Sequence, residues 1–228
     1  MHPRRRLVVA ITLLIGFATA GAAAGPVAAE HGGPPVGSFL SCDRPVVPPR
    51  CTSVGDNLVH RVHFDASLTD ALAAAMRRAM ADYTAATKLV LVEDAVLTPA
   101  TDVIVYSFDY GPNGAAAWVN CPPEAPKGIN VEGHRWCRHQ ELHFNLNSSY
   151  GAFFADDDSR THVACHELGH TIGLRHWGNP PETRGPVGAT CMNADTPNGP
   201  TTLHADDVAH INAYRYVTRR ALPRHPLL

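Results

Sequence analysis

The run from His166 to His176 constrains this chain more than any other feature. Its eleven residues are His-Glu-Leu-Gly-His-Thr-Ile-Gly-Leu-Arg-His. On a helix, His166 and His170 are one turn apart and project from the same face, so both imidazoles can bind one metal ion. Glu167 is then placed beside the same ion, where its carboxylate can take a proton from a zinc-bound water. The spacing therefore predicts a zinc-binding helix.

Gly173 and His176 complete the expected metal site. A straight helix could not bring His176 back to the metal, but a glycine can adopt the left-handed conformation that ends a helix and turns the chain. Three neutral imidazoles leave one position of a tetrahedral zinc ion open for water, which is typical of a catalytic zinc site. The alternative is an ordinary buried helix whose histidines belong to the core.

The motif resembles the signature of the metzincin metallopeptidases, His-Glu-x-x-His-x-x-Gly-x-x-His followed by a methionine turn. The pattern is closest to that of matrixin-like secreted bacterial proteases. The resemblance implies that His166, His170 and His176 bind zinc and that Glu167 is the general base. Met192 is the only methionine after the motif, and it is implied to lie beneath the metal without binding it.

The same resemblance implies an α+β fold. A twisted mixed β-sheet would be accompanied by an N-terminal helix, the zinc-binding helix and a C-terminal helix. It also implies that residues 141–147, the last strand before the motif, form the sheet edge on which a protein or peptide substrate pairs as an added strand.

The N-terminus has the pattern of a secretory signal peptide. Arg4-Arg5-Arg6 precedes an apolar core from Leu7 to Phe17, and small residues follow, of which we favour Ala29 as the cleavage position. An uncleaved membrane anchor is the alternative, because residues 7–29 are almost free of polar groups and long enough to span a bilayer. We expect a secreted protein with no stable membrane association after cleavage.

The rest of the chain fits a single domain. It has 228 residues, which we divide into a signal peptide (1–29), a Pro/Gly-rich segment (30–57) and the metallopeptidase domain (58–228). A net charge of -2 with 18% charged residues gives no basic surface of the kind that binds nucleic acid. We expect a monomer.

Six cysteines in an exported chain predict three disulfides. Fifteen pairings are possible. Cys165 directly precedes His166 and Cys191 directly precedes Met192, so a bond between these cysteines would link the zinc helix to the methionine turn. Proximity in sequence favours the pairs Cys42–Cys51 and Cys121–Cys137, which leaves Cys165–Cys191.

Two other patterns bear on metal binding. Pro49-Arg50-Cys51 resembles the cysteine switch with which matrixin propeptides block their zinc, although the glycine expected after the cysteine is absent. Asp156-Asp157-Asp158 precedes the zinc helix, where carboxylates cap a helix and complement its positive end. A structural calcium ion is the alternative for this acidic run.

Hydrophobic periodicity predicts the remaining elements. The zinc helix is predicted from Ser159 to Leu174, with Thr171 and Arg160 exposed. A first helix should begin at a capping box opened by Ser67, and a last helix at Thr202 or His204. Strands are predicted at Val59–Phe64, Lys88–Glu93, Asp102–Phe108, Ala115–Val119 and Glu141–Asn147.

The hypothesis that follows is hydrolysis of peptide bonds by a zinc-activated water, with Glu167 passing the proton on to the leaving amine. Ala194 stands where some metzincins have a tyrosine that stabilises the oxyanion, and His143, His162 and His204 are weak candidates for that role. A zinc hydrolase of non-peptide amides is one alternative function. A secreted binding protein that has lost catalysis is another, although the intact Glu167 argues against it.

Overall fold

The computed structural model describes residues 55–129, 135–174, 176, 190–193 and 197–213. The predicted signal peptide, the predicted Cys42–Cys51 pair, the cysteine-switch pattern and Ala194 lie outside these residues. The described elements are β1 (Val59–Phe64), α1 (Asp70–Ala86), β2 (Val90–Asp94), β3 (Val103–Phe108), β4 (Ala117–Asn120), β5 (Lys127–Ile129), β6 (Arg135–Cys137), β7 (Gln140–Asn145), a 3₁₀ helix (Ser148–Phe154), α2 (Asp157–Thr171) and α3 (Ala205–Ala213).

A mixed sheet of five strands organises the fold, in the order β2-β1-β3-β7-β4. Neighbouring strands are parallel except for β4, which runs antiparallel to β7. The α+β class expected from the sequence is confirmed.

The expectation that residues 141–147 form the sheet edge is wrong. Strand β7 lies between β3 and β4, and Ala117–Asn120 forms the edge instead. Leu142 and Phe144 are fully buried on one face, and His143 is only 13% exposed on the other. Alternating apolar and polar residues show that one face of a strand is buried, but they do not distinguish an interior strand from an edge.

The core lies between one face of the sheet and the two longer helices. The apolar residues of α1 recur at helical spacing and are buried in this core. This confirms that the helix has the apolar face predicted from its periodicity. Helices α1 and α2 pack on each other, and Tyr83 of α1 donates a hydrogen bond from its hydroxyl to the carbonyl of Cys165 at 2.9 Å. The central core residues are Val62, Leu72, Met76, Ala79, Tyr83, Val103, Val105, Leu142, Phe144 and Leu168.

Side-chain caps set where the two longer helices begin. Thr69, not Ser67, caps α1, and its hydroxyl accepts from the backbone N–H of Leu72. Asp156 caps α2 by accepting from the N–H of Ser159 at 2.8 Å, which confirms the capping role for this part of the acidic run. Helix α2 therefore begins two residues before Ser159, and it ends three residues before Leu174.

The segment between β4 and β7 carries an antiparallel hairpin, β5–β6, that sequence analysis did not predict. The expected Cys121–Cys137 disulfide closes this segment, and Trp136 packs against the core. Asp56, which we assigned to the N-terminal segment, is buried and forms an ion pair with Arg138. None of the described helices has both the length and the apolar character needed to cross a membrane.

Truncating the core should destabilise the domain far more than the same change at the surface. Leu142 has 0% exposure and Leu97 has 51%. We expect Leu142→Ala to lower the free energy of unfolding by about 2–5 kcal/mol, because it removes buried methyl groups and leaves a cavity. Leu97→Ala should change it by less than about 0.5 kcal/mol. Urea denaturation followed by circular dichroism measures both, and equal effects would contradict this description of the core.

Candidate metal centre

Three histidines converge at the end of α2. His166 and His170 lie one turn apart on the helix, and His176 follows its C-terminal turn. One ring nitrogen from each lies within 4.8 Å of the other two. The ring centroids of His176 are 4.9 Å from those of both partners. This group could hold a metal ion.

The turn that brings His176 back depends on Gly173. Its φ of 98° lies in the region that glycine adopts readily, as the sequence predicted. The N–H of Leu174 donates to the carbonyl of Gly169 at 2.9 Å, and the N–H of Gly173 donates to that of His170 at 3.2 Å. These two bonds are those of a Schellman motif, which ends a helix by reversing the chain.

Backbone carbonyls determine which ring nitrogens are available to a metal. The Nδ1 of His166 lies 2.8 Å from the carbonyl oxygen of Cys191, and the Nδ1 of His170 lies 2.8 Å from that of Leu174. A carbonyl oxygen can only accept a hydrogen bond, so both Nδ1 atoms must carry the hydrogen. In the neutral rings, both Nε2 atoms are therefore bare lone-pair donors.

The donor set fits a zinc ion. The Nε2 atoms of His166 and His170 are 3.1 Å apart, and two bare nitrogens at that distance cannot share a hydrogen bond. Zinc bound tetrahedrally at its usual distances separates two ligand nitrogens by about 3.3 Å. Burial lowers the pKa of His166 well below its ordinary value, and the neighbouring His170 and His176 lower it further. The ring is thus kept neutral, as a metal ligand must be.

Glu167 and Met192 are also buried at this centre. Glu167 follows the first ligand on the helix and is 6% exposed. Met192 is fully buried, and it lies against the backbone of α2 at Gly169. A Cβ at Gly169 would come within 2.9 Å of Met192 Cε and within 2.8 Å of the Tyr83 hydroxyl. The methionine can approach the helix this closely only because residue 169 has no side chain.

Besides the hydrogen bond from His166, three connections attach the turn at Met192 to the rest of the described domain. The predicted disulfide Cys165–Cys191 is present, and it fixes the residue whose carbonyl binds His166. The Thr190 hydroxyl donates to Asp207 of α3 at 2.6 Å and accepts from the N–H of Met192 at 3.1 Å. The N–H of Cys191 donates to the carbonyl of Thr202 at 2.9 Å.

Sequence analysis missed the roles of Thr190 and Asp207. Asp207 is buried, and burial raises its pKa although the hydrogen bond from Thr190 opposes the shift. It also accepts from the N–H of His204 at 3.1 Å, the contact of a capping box at the start of α3. An acidic residue in the first turn of a helix was the available signal, but its second partner is distant in sequence.

Other histidines named from the sequence lie elsewhere. His143 is on the sheet face opposite the helices, stacked between Tyr106 at 5.3 Å and Trp118 at 4.9 Å, which excludes it as a stabiliser of the oxyanion. His162 is buried, and its Nδ1 lies 2.7 Å from the carbonyl of Pro200. The proposed role of His162, and that of His204, stay predictions.

The calcium alternative gains no support from the described residues. Asp157 and Asp158 are exposed, and Asp157 accepts a hydrogen bond from Arg160 at 2.6 Å. Within the described ranges, His166, His170 and His176 form the only set of three potential ligand groups close enough to hold a metal ion. The acidic run therefore serves α2 as a cap.

Comparison with known proteins adds no relative: no family model matches the sequence, and no curated protein matches it.

Adding one methyl group at Gly169 should disturb the metal centre. The Cβ of Gly169→Ala would overlap Met192 and Tyr83, so we expect a loss of about 1–3 kcal/mol of stability and weaker zinc binding. Gly151→Ala is the matched control, because nothing lies within 4 Å of a Cβ there. Thermal unfolding and zinc titration against a chelator measure both effects. If Gly169→Ala bound zinc with wild-type affinity, the packing of Met192 against Gly169 would have no role in zinc binding.

The two described disulfides should differ in their effect on metal binding. We expect the double variant Cys165→Ala, Cys191→Ala to bind zinc more weakly, because the carbonyl that orients His166 loses its covalent attachment to α2. The variant Cys121→Ala, Cys137→Ala controls for the loss of a disulfide. It should lose stability and keep its zinc affinity. Equal zinc affinities in the two variants would count against this role for Cys165–Cys191.

Proposed function

We propose that this protein is a secreted, zinc-dependent endopeptidase of the metzincin type. One observation carries the proposal. His166 and His170 present bare Nε2 atoms to a common point because backbone carbonyls occupy their Nδ1 atoms. His176 adds a third imidazole, and Glu167 adjoins the first on the same helix. This is the donor set and the candidate base that a catalytic zinc hydrolase requires.

The three histidines would hold the ion, and the other named groups would serve them. A bound zinc ion would supply a Lewis acid that polarises the substrate carbonyl and lowers the pKa of water. Cys191 and Leu174 keep the imidazoles in the tautomer that binds, through their carbonyls. Met192 provides an apolar, polarizable floor beneath them.

Glu167 has the role of moving the proton. Its carboxylate would take a proton from the attacking water and then deliver it to the leaving amine. Its position supports this assignment, because Glu167 is buried and directly follows the first histidine of the site on α2.

The order of the strands supports a peptide as substrate. It also changes which strand we assign to substrate docking. An extended peptide can add to a sheet edge as a further strand. Strand β4, not β7, is the edge on this side of the sheet, and α2 contacts both strands. We therefore assign substrate pairing to Ala117–Asn120. The short length of β4 also fits an edge that must not pair with other chains indiscriminately.

Export is supported by the cysteines. Cys121–Cys137 and Cys165–Cys191 are both bonded, which fits an extracellular protein, since thiols in the cytoplasm are kept reduced.

Peptide profiling by mass spectrometry tests the proposal. We expect the zinc-loaded protein, beginning near Glu30, to cleave a mixed peptide pool, and a chelator to stop it until zinc is restored. Glu167→Gln should lower the rate by about 10²–10⁴-fold while zinc remains bound, because it removes the base but keeps the shape. Glu124→Gln, at an exposed position, is the matched control.

The outcomes separate the alternatives. Zinc binding without cleavage of any peptide or denatured protein would refute the endopeptidase. Release of an amine from small amides by the same preparation would then favour a non-peptide amide hydrolase. Bound zinc with neither activity would favour a binding protein. Cleavage that persists in Glu167→Gln would remove that residue from its role.

A further inference from the structure

Thr171 ends α2, directly after the metal ligand His170 and before the turn that leads to His176. Sequence analysis placed Thr171 on the exposed side of the helix, and this prediction is wrong: the residue is 0% exposed. Two polar side chains from separate strands of the sheet reach it. They are His60 of β1 and Gln140 at the start of β7.

The hydroxyl of Thr171 connects His60 to the helix. It donates to the carbonyl of Leu168 at 2.7 Å, and the Nε2 of His60 lies 2.9 Å from it. Because the hydroxyl hydrogen is used toward Leu168, the oxygen must accept from the Nε2–H of His60. The helix end is thereby attached to β1 by a buried hydrogen bond.

The carbonyl of Thr171 receives the second contact. The side-chain amide of Gln140 donates to it at 2.7 Å. A helix leaves its last four carbonyls without partners inside the helix. Here those of Gly169 and His170 are taken by the turn at Gly173, and that of Leu168 by the Thr171 hydroxyl. Gln140 supplies the remaining donor, so the terminal carbonyl set is complete.

His60 is suited to a fixed, neutral role. It is 1% exposed, and burial lowers its pKa to about 4, with Asp56 opposing the shift. The neutral ring needs one donor hydrogen, and that hydrogen points to Thr171. Asp102, whose carboxylate accepts from the N–H of Arg61 at 2.7 Å, lies 3.9 Å from the other ring nitrogen. The His60 ring can therefore stay neutral in this arrangement.

We propose that His60 and Gln140 are positioning residues for the metal centre, acting through Thr171. The inference rests on the metal binding in the proposed function, but not on peptide cleavage. His170 and the turn to His176 flank Thr171 in sequence, so movement of the helix end displaces two of the three ligands. Through His60 and Gln140, strands β1 and β7 of the sheet then set the position of the helix end. Groups that orient metal ligands affect metal affinity although they never contact the ion.

Thr171→Val tests the inference, because valine keeps the branched shape and removes the hydroxyl. We expect zinc affinity, measured by chelator competition, to fall by about 10–100-fold. The absorption spectrum of the cobalt-substituted protein should also change, since it reports ligand geometry directly. Thr171→Ser should restore affinity and spectrum, because it keeps the hydroxyl. Gln140→Met is a second variant that removes the other contact with little change in length.

Thr101→Val is the matched control. Thr101 is also fully buried, and its hydroxyl donates to Asp94 at 3.0 Å, but it lies in the loop between β2 and β3. The Thr101→Val variant should lower the unfolding temperature of the metal-free protein, as Thr171→Val does. It should leave the zinc affinity and the cobalt spectrum unchanged.

Each result decides the question. Unchanged zinc affinity and cobalt spectrum in both Thr171→Val and Gln140→Met, with only lower unfolding temperatures, would overturn the inference and leave these contacts a purely structural role. Failure of the unsubstituted protein to bind zinc would overturn it together with the proposed function. Zinc binding without peptide cleavage would refute the peptidase alone, and the affinity comparison would still decide the role of Thr171.

Discussion

The metal centre depends on two hydrogen bonds from histidine side chains to backbone carbonyls. His166 donates to Cys191 and His170 donates to Leu174. These bonds select the tautomer, and in that tautomer both buried rings can act as metal ligands. Each carbonyl is in turn placed by a different device. The Schellman turn at Gly173 places Leu174, and the disulfide with the Thr190–Asp207 contact places Cys191.

Close packing limits how this arrangement can vary. Met192, Tyr83 and the backbone at Gly169 meet where no further atom fits. Helix α1 therefore contributes to the packing at the site, through Tyr83. Close packing of this kind leaves the described side chains little freedom to move, which favours a preorganised site. Two Nε2 atoms that carry no hydrogen repel each other at 3.1 Å, and a cation bound between them would remove that repulsion.

The sequence predicts the local parts of this protein well. The spacing of three histidines and one glycine predicts the helix, its end and the chain reversal, because each depends on residues a few positions apart. The bond Cys165–Cys191 was also predictable, since proximity pairs the other four cysteines with each other and leaves these two. Strand β1 and the core stripe of α1 follow from periodicity alone.

Contacts between distant segments were not predictable. Thr171 was expected to be exposed, but it is buried by partners that are 111 and 31 residues away in the sequence. Alternation in residues 141–147 indicated a half-buried strand, but the position of β4 beside it is a property of the whole sheet. The Asp207–Thr190 bond joins two segments that neither hydrophobic pattern nor motif connects.

Because of the disulfide Cys165–Cys191 beside His166, the state of the candidate metal centre depends on the compartment in which the chain folds. Where thiols are kept reduced, Cys165 and Cys191 are not bonded, and the Cys191 carbonyl that contacts His166 has no covalent attachment to α2. In an oxidising compartment the disulfide forms, and Cys191 is then attached covalently to α2. A chain that folds after export would thus complete the support of its three-histidine site only outside the cytoplasm.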